Sequence, residues 1–198
     1  MLRVDADALR GFRSEIITLS DLRHSNIVML VGAVWEQSLM ALVMEYCAKG
    51  TSSDLLESDG SSEDMTWDIT LLPWCQDCAR AMKYLHGVSY FDSKVNASVH
   101  GIVHRDLKPD NCLVSESNAI KIADFGEARA LSIENTMTQV GTPLYIAPEI
   151  VKGDRYANSC DVFSFAFTVL TWGLTGKSKI WEVRWEERRT AGAKRQHQ

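Results

Sequence analysis

Apolar residues recur at Leu9, Phe12, Ile16 and Leu19 with polar residues between them, a helical spacing that predicts a helix over 8–22. Two short β-branched-rich runs follow at 27–34 and 39–46, separated by Trp35-Glu36-Gln37-Ser38, and read as adjacent strands. Residues 50–64 are rich in Ser, Asp and Glu and read as a connector with one helical turn near Asp54-Leu55-Leu56. Over 67–85 the apolar positions Leu71, Trp74, Cys78, Ala81, Met82 and Leu85 predict a long helix. Pro73 falls near its start, where a missing N–H is tolerated. Residues 87–101 are polar and predict an irregular stretch, and 130–141 predict a polar loop. Ile102-Val103, Cys112-Leu113-Val114 and Ile120-Lys121-Ile122 are short β-like pieces. Residues 158–173 are apolar all round, the pattern of a helix buried on every side.

Composition narrows the class. Hydrophobic residues make up 45% and charged residues 24%, ordinary for a globular chain. A net charge of -5 argues against nonspecific nucleic-acid binding. The longest nearly apolar run, 162–174, is too short for a membrane span. The charged N-terminal stretch lacks the apolar core of a secretory signal. Together these predict an intracellular, cytoplasmic protein with no membrane span. The five cysteines form no disulfide framework. Cys75 and Cys78 have C-x-x-C spacing, but no second Cys/His pair stands at zinc-finger distance, so they read as thiols of a reducing compartment.

The chemistry concentrates in three ordered segments. His104-Arg105-Asp106-Leu107-Lys108-Pro109-Asp110-Asn111 comes first. Asp124-Phe125-Gly126 follows, and then Gly141-Thr142-Pro143 leads into Ala147-Pro148-Glu149. In this order and spacing the segments resemble the catalytic loop and activation segment of eukaryotic protein kinases, of the Ser/Thr type and the tyrosine-kinase-like group. The resemblance covers about Leu9 to Gly176. It implies an α+β, bilobal protein-kinase-like fold with a partial N-lobe over 1–46 and a hinge at 45–50. An incomplete, mainly helical C-lobe over 51–176 and a charged tail over 177–198 that is not kinase-like complete the expected layout.

The resemblance also assigns roles. It implies transfer of the ATP γ-phosphate to Ser or Thr hydroxyls of a protein substrate, with ATP and Mg²⁺ as cofactors and a regulatory protein partner. Asp106 would take or orient the substrate proton, Lys108 would sit near the transferred phosphate, and Asn111 and Asp124 would hold Mg²⁺. Met44 would be the gatekeeper or simply a core residue. The backbones of Glu45 and Cys47 would face adenine, with Leu113 also at the nucleotide. Glu15 would be the helix glutamate that normally pairs with a strand lysine. Leu19, Leu30, His104 and Phe125 would stack as a regulatory spine. Asp161 would anchor that spine, the alternative being a helix N-cap. Thr138, Thr136 and Ser132 are phosphorylation candidates, with Arg105 as partner of a phosphate at Thr138 and Thr142 against Asp106 and Lys108. Glu149 would seek an arginine from a later helix.

The sequence departs from the family pattern as well. It contains no G-x-G-x-x-G, no lysine before Lys49, and about ten extra residues between His86 and Ile102. We therefore expect a domain truncated at both ends, weak in transfer and poorly stable without a partner. A non-catalytic, pseudokinase-like binding or scaffold protein is the alternative function.

Overall fold

The computed structural model describes residues 6–36, 39–58, 66–92, 97–130, 142–154 and 156–174. The amphipathic N-terminal pattern forms α1 (Ala6–Asp21). It lies against an antiparallel pair, β1 (Leu30–Glu36) and β2 (Leu39–Met44), with Leu30 opposite Met44 and Trp35 opposite Met40. The first strand begins later than its apolar run suggested. Ile27 instead bridges Ile122 in parallel, and Val28 N–H donates to the Ile122 carbonyl. Phe12 packs edge-on against Trp35, and the Arg13 guanidinium lies 4.8 Å from the Trp35 ring centroid. This aromatic contact fixes α1 on the sheet.

After the hinge, α2 (Ser52–Glu57) begins at a capping box: Thr51 accepts from Asp54 N–H, and the Asp54 carboxylate accepts from Thr51 N–H. Such a cap stabilises a helix by about 1 kcal/mol. A π-helical turn at Trp67–Leu71 then runs into α3 (Leu72–Gly87). Apolar spacing predicted this helix but not its wide first turn. Trp74, Cys78, Ala81 and Leu85 lie on one stripe of α3 and are fully buried. They meet Cys112 and Val114 of β6 (Cys112–Val114), Ile120 and Ile122 of β7 (Ile120–Ile122), and Trp172 of α5 (Ser159–Gly173). Leu85, Val114, Ile120 and Ile122 each contribute about 1.5–3 kcal/mol by leaving water, and the smaller Ala81 less.

Two expectations need correction. The stretch 87–101 is not irregular. β3 (Ser89–Asp92) and β4 (Ala97–His100) pair antiparallel, with Ser89 opposite His100 and Asp92 opposite Ala97, so these residues satisfy one another's backbone. The helix α5 is not buried on every side either. Cys160, Asp161, Ser164, Thr168 and Trp172 face inward, whereas Val162 and Leu170 are 61% and 46% exposed.

The remaining elements frame the central loop. β5 (Ile102–Val103) pairs with β8 (Arg129–Ala130), and β6 pairs with β7. A single 3-10 turn, Pro109–Asn111, leads into β6. The short helix α4 (Pro148–Lys152) ends at Gly153, whose φ of 74° is readily adopted only by glycine. The result is an α+β arrangement: α1 with its sheet on one side, and α2, α3 and α5 on the other.

Candidate active site

β5 delivers His104, Arg105 and Asp106 into the space between the two halves. His104 is buried, stacks edge-on against Phe125 at 5.0 Å, and donates from Nε2 to the Ala123 carbonyl at 3.1 Å. Arg105 has a φ of 71°, a strained position for a side-chain-bearing residue. The fully buried Asp161 holds the loop there. Its carboxylate accepts from His104 N–H at 2.9 Å and Arg105 N–H at 2.8 Å, and lies 2.8 Å from His86 Nε2. Asp161 sits in the first turn of α5, yet its bonds go to this loop and not to its own helix. Leu19 is buried in the same core as Phe125, with Leu30 packed on its edge.

The Asp106 carboxylate meets four donors. One oxygen accepts from Thr142 N–H at 3.0 Å and Thr142 Oγ1 at 3.1 Å. The other accepts from Lys108 Nζ at 2.8 Å and Asn111 Nδ2 at 3.0 Å. Lys108 Nζ also donates to Thr142 Oγ1 at 2.7 Å, which closes a ring. A carboxylate held this way is an oriented proton acceptor beside a positive charge.

Asn111 Nδ2 donates to the Asp106 carbonyl as well, at 2.8 Å, so both amide hydrogens are engaged and its side-chain oxygen remains as a ligand. Asp124 has a φ of 60° and stands exposed at the start of its turn. These two oxygen donors suit a hard divalent cation that also takes oxygens from a phosphate. Among the described residues no three of His, Cys, Asp and Glu gather as a self-sufficient metal cage.

Glu15 of α1 faces this point. Burial first, and then the Asp124 charge, push its carboxyl above the ordinary 4.5, while a hydrogen bond from Phe125 N–H pulls it back. An acid with a raised folded pKa favours the folded state below its ordinary value and loses that contribution as pH rises. The melting advantage of the native chain over Glu15→Gln should therefore shrink as pH climbs from 4.5 towards neutrality. Thermal melts of both proteins across that range check it, and a widening advantage contradicts it.

At the hinge, Glu45 N–H donates to the Met29 carbonyl at 3.0 Å. The Glu45 side chain turns away, to Met29 N–H at 2.8 Å and Lys121 Nζ at 3.0 Å. The Cys47 carbonyl accepts from Gly50 N–H. Among the described residues the Glu45 carbonyl and the Cys47 N–H have no hydrogen-bond partner. They leave one acceptor and one donor for a planar base. Cys47 packs with Val28 and Ala123, with Leu113 against them, as an apolar floor. Met44 closes the end of β2, opposite Leu30.

Some predicted residues are not drawn in. The Glu149 carboxylate meets Ser159 Oγ at 3.5 Å and no arginine among the described residues. Thr136, Thr138 and Ser132 lie outside the described residues. Others escaped the sequence reading: His86 near the end of α3, which bonds Asp161, Tyr156 between α4 and α5, which bonds Arg105, Lys121 beside Glu45, and Glu127 beside Arg105. His86, Lys121, Tyr156 and Glu127 carry no motif of their own.

Comparison with known sequences places this geometry. The pattern of the protein kinase domain family matches residues 3–197. A protein of Acanthamoeba polyphaga mimivirus named as a serine/threonine-protein kinase/receptor is 40% identical over 175 residues, covering 88% of this chain and 10% of that protein. Wall-associated receptor kinase-like 5 of Arabidopsis thaliana is 35% identical over 189 residues, covering 94% of this chain and 24% of the relative. Serine/threonine-protein kinase 12 of the same plant is 34% identical over 168 residues, covering 83% of this chain and 34% of the relative. The chain thus spans from about a tenth to a third of these relatives' lengths. Protein kinase domains use ATP and a divalent metal to modify protein substrates. Among the described residues no helix is long and apolar enough to cross a membrane.

Proposed function

This chain belongs to the protein kinase domain family, and from that premise we propose that it is a serine/threonine kinase domain of the tyrosine-kinase-like group. The observation that carries the reading is the closed ring of Asp106, Lys108 and Thr142, with Asn111 donating into it. A lysine two residues after the catalytic carboxylate suits Ser/Thr transfer, and the relatives named above carry that activity in their names.

The chemistry follows from the charges. A Ser or Thr hydroxyl oxygen attacks the γ-phosphorus of ATP as the bond to the bridging oxygen breaks and ADP leaves. Asp106 orients that hydroxyl and receives its proton. Lys108 offsets the charge on the phosphoryl oxygens while Thr142 holds it in register. Asn111 and Asp124 would hold Mg²⁺, which supplies further neutralisation of the phosphates. The Glu45 carbonyl and Cys47 N–H would receive adenine above Leu113. Free thiols throughout suit a reducing, intracellular compartment.

Ligand binding is the accessible test. With Mg²⁺ present, ATP at about a hundred times its dissociation constant should raise Tm by about 5–10 °C, and chelation should remove the effect. Asp124→Asn should lose it, whereas Asp106→Asn should keep it. A shift that ignores both chelation and Asp124→Asn would count against the metal assignment. The second reading, a non-catalytic binding domain, is favoured by one observation: Glu15 faces the Asp124 charge. Stabilisation by ATP without transfer would support it.

A further inference from the structure

Ser52 opens α2 and is fully buried. A hydroxyl taken out of water is costly unless its hydrogen bonds are replaced. Two groups from distant parts of the chain replace them. Trp172 Nε1 of α5 donates to Ser52 Oγ at 2.9 Å, and Ser52 Oγ donates to the Pro109 carbonyl at 2.8 Å. Chemistry fixes the direction of this relay. An indole N–H only donates and a carbonyl only accepts, so the hydroxyl hydrogen points at Pro109. Both ends of the relay are held. Trp172 is fully buried and packs edge-on against Trp74 of α3, with ring centroids 5.6 Å apart. Thr51, the cap of α2, bridges Leu113 of β6 and so keeps the Ser52 backbone beside the turn that precedes β6.

The Pro109 carbonyl also accepts from Cys112 N–H, which closes the 3-10 turn Pro109–Asn111, and Asn111 N–H donates to the Lys108 carbonyl at 3.0 Å. Proline has no N–H of its own to anchor such a turn. The turn carries Asn111, whose amide hydrogens are already engaged by Asp106. We propose that Ser52 is a positioning residue: its hydroxyl, oriented by Trp172, pins the Pro109 carbonyl and with it the turn that aims the Asn111 side-chain oxygen at a metal ion. The metal part rests on the kinase reading, whereas the pinning of the turn is a property of the chain alone.

The test compares the native 198-residue chain with Ser52→Ala and with the near-isosteric Ser52→Cys, whose thiol is only a weak donor. Hydrogen exchange reads the turn. In Ser52→Ala the amides of Asn111 and Cys112 should exchange about fivefold faster relative to those of α3, the size of effect for one lost hydrogen bond. A Mg²⁺ titration of the ATP melting shift at fixed ATP reads the metal. The Mg²⁺ concentration giving half the shift should rise about tenfold, the low end for a group that orients a metal ligand, while the full shift at saturating Mg²⁺ is kept. Ser52→Cys should lie between the two proteins in both readings, and it decides the matter if Ser52→Ala does not fold. Native exchange at Asn111 and Cys112, or acceleration spread equally over α3, would overturn the pinning. Faster exchange with an unmoved Mg²⁺ half-point would overturn the positioning role. A native chain with no Mg²⁺-dependent ATP shift would instead sink the kinase reading and the metal part with it, and the exchange data would still decide the pinning.

Discussion

Asp106→Asn lowers phosphoryl transfer by about 10²–10⁴-fold, the range set by loss of a positioned general base. Four donors converge on this carboxylate from Lys108, Asn111 and Thr142. They point both its oxygens and leave it an acceptor with a fixed orientation. An amide in its place presents two hydrogens where one oxygen stood, so it opposes at least one of those donors and accepts no proton. The backbone carbonyl of Asp106, which Asn111 also uses, is untouched. Nucleotide binding should therefore persist while transfer is lost. A single-turnover assay with labelled ATP, run beside the ATP melting shift, separates the two effects. Transfer that survives Asp106→Asn would assign the base elsewhere or to a contaminant.

Asp161→Ala has the larger effect on stability. The residue is fully buried and accepts from two consecutive backbone N–H groups while also contacting His86. Truncation strands these partners in the core, and breaking a buried charged contact of this kind costs about 3–5 kcal/mol. For a domain of this size that corresponds to a Tm loss of about 6–20 °C. The strained Arg105 backbone then loses its anchor, so the catalytic loop should loosen beyond the global effect. Calorimetry of Asp161→Ala and Asp161→Asn checks this, with Asn the milder change because it retains one acceptor oxygen. An unchanged melt for Asp161→Ala would return Asp161 to the rank of an ordinary first-turn acid.

The sequence made some of this legible and hid the rest for physical reasons. The stripe on α3 was readable because Trp74, Cys78, Ala81 and Leu85 recur at helical spacing and all meet one core. The hairpin of β3 and β4 was not, since four-residue strands with polar ends carry too little alternation to distinguish them from a loop. An all-apolar α5 gave no sign of which face meets protein, and Val162 and Leu170 lie on the open one. Motif residues told which side chains converge on Asp106, because their types are set by the chemistry. They said nothing of Glu127, whose partner Arg105 lies twenty-two residues away and is reached only through the β5–β8 pairing.

Phosphoamino-acid analysis tests the central claim most directly. The chain is incubated with labelled ATP, Mg²⁺ and a mixture of peptides carrying Ser, Thr or Tyr acceptors, with Asp106→Asn as the blank. The account predicts label on serine and threonine above the Asp106→Asn level, removed by chelation. Label confined to tyrosine, or no label above the blank despite an ATP melting shift, would contradict it.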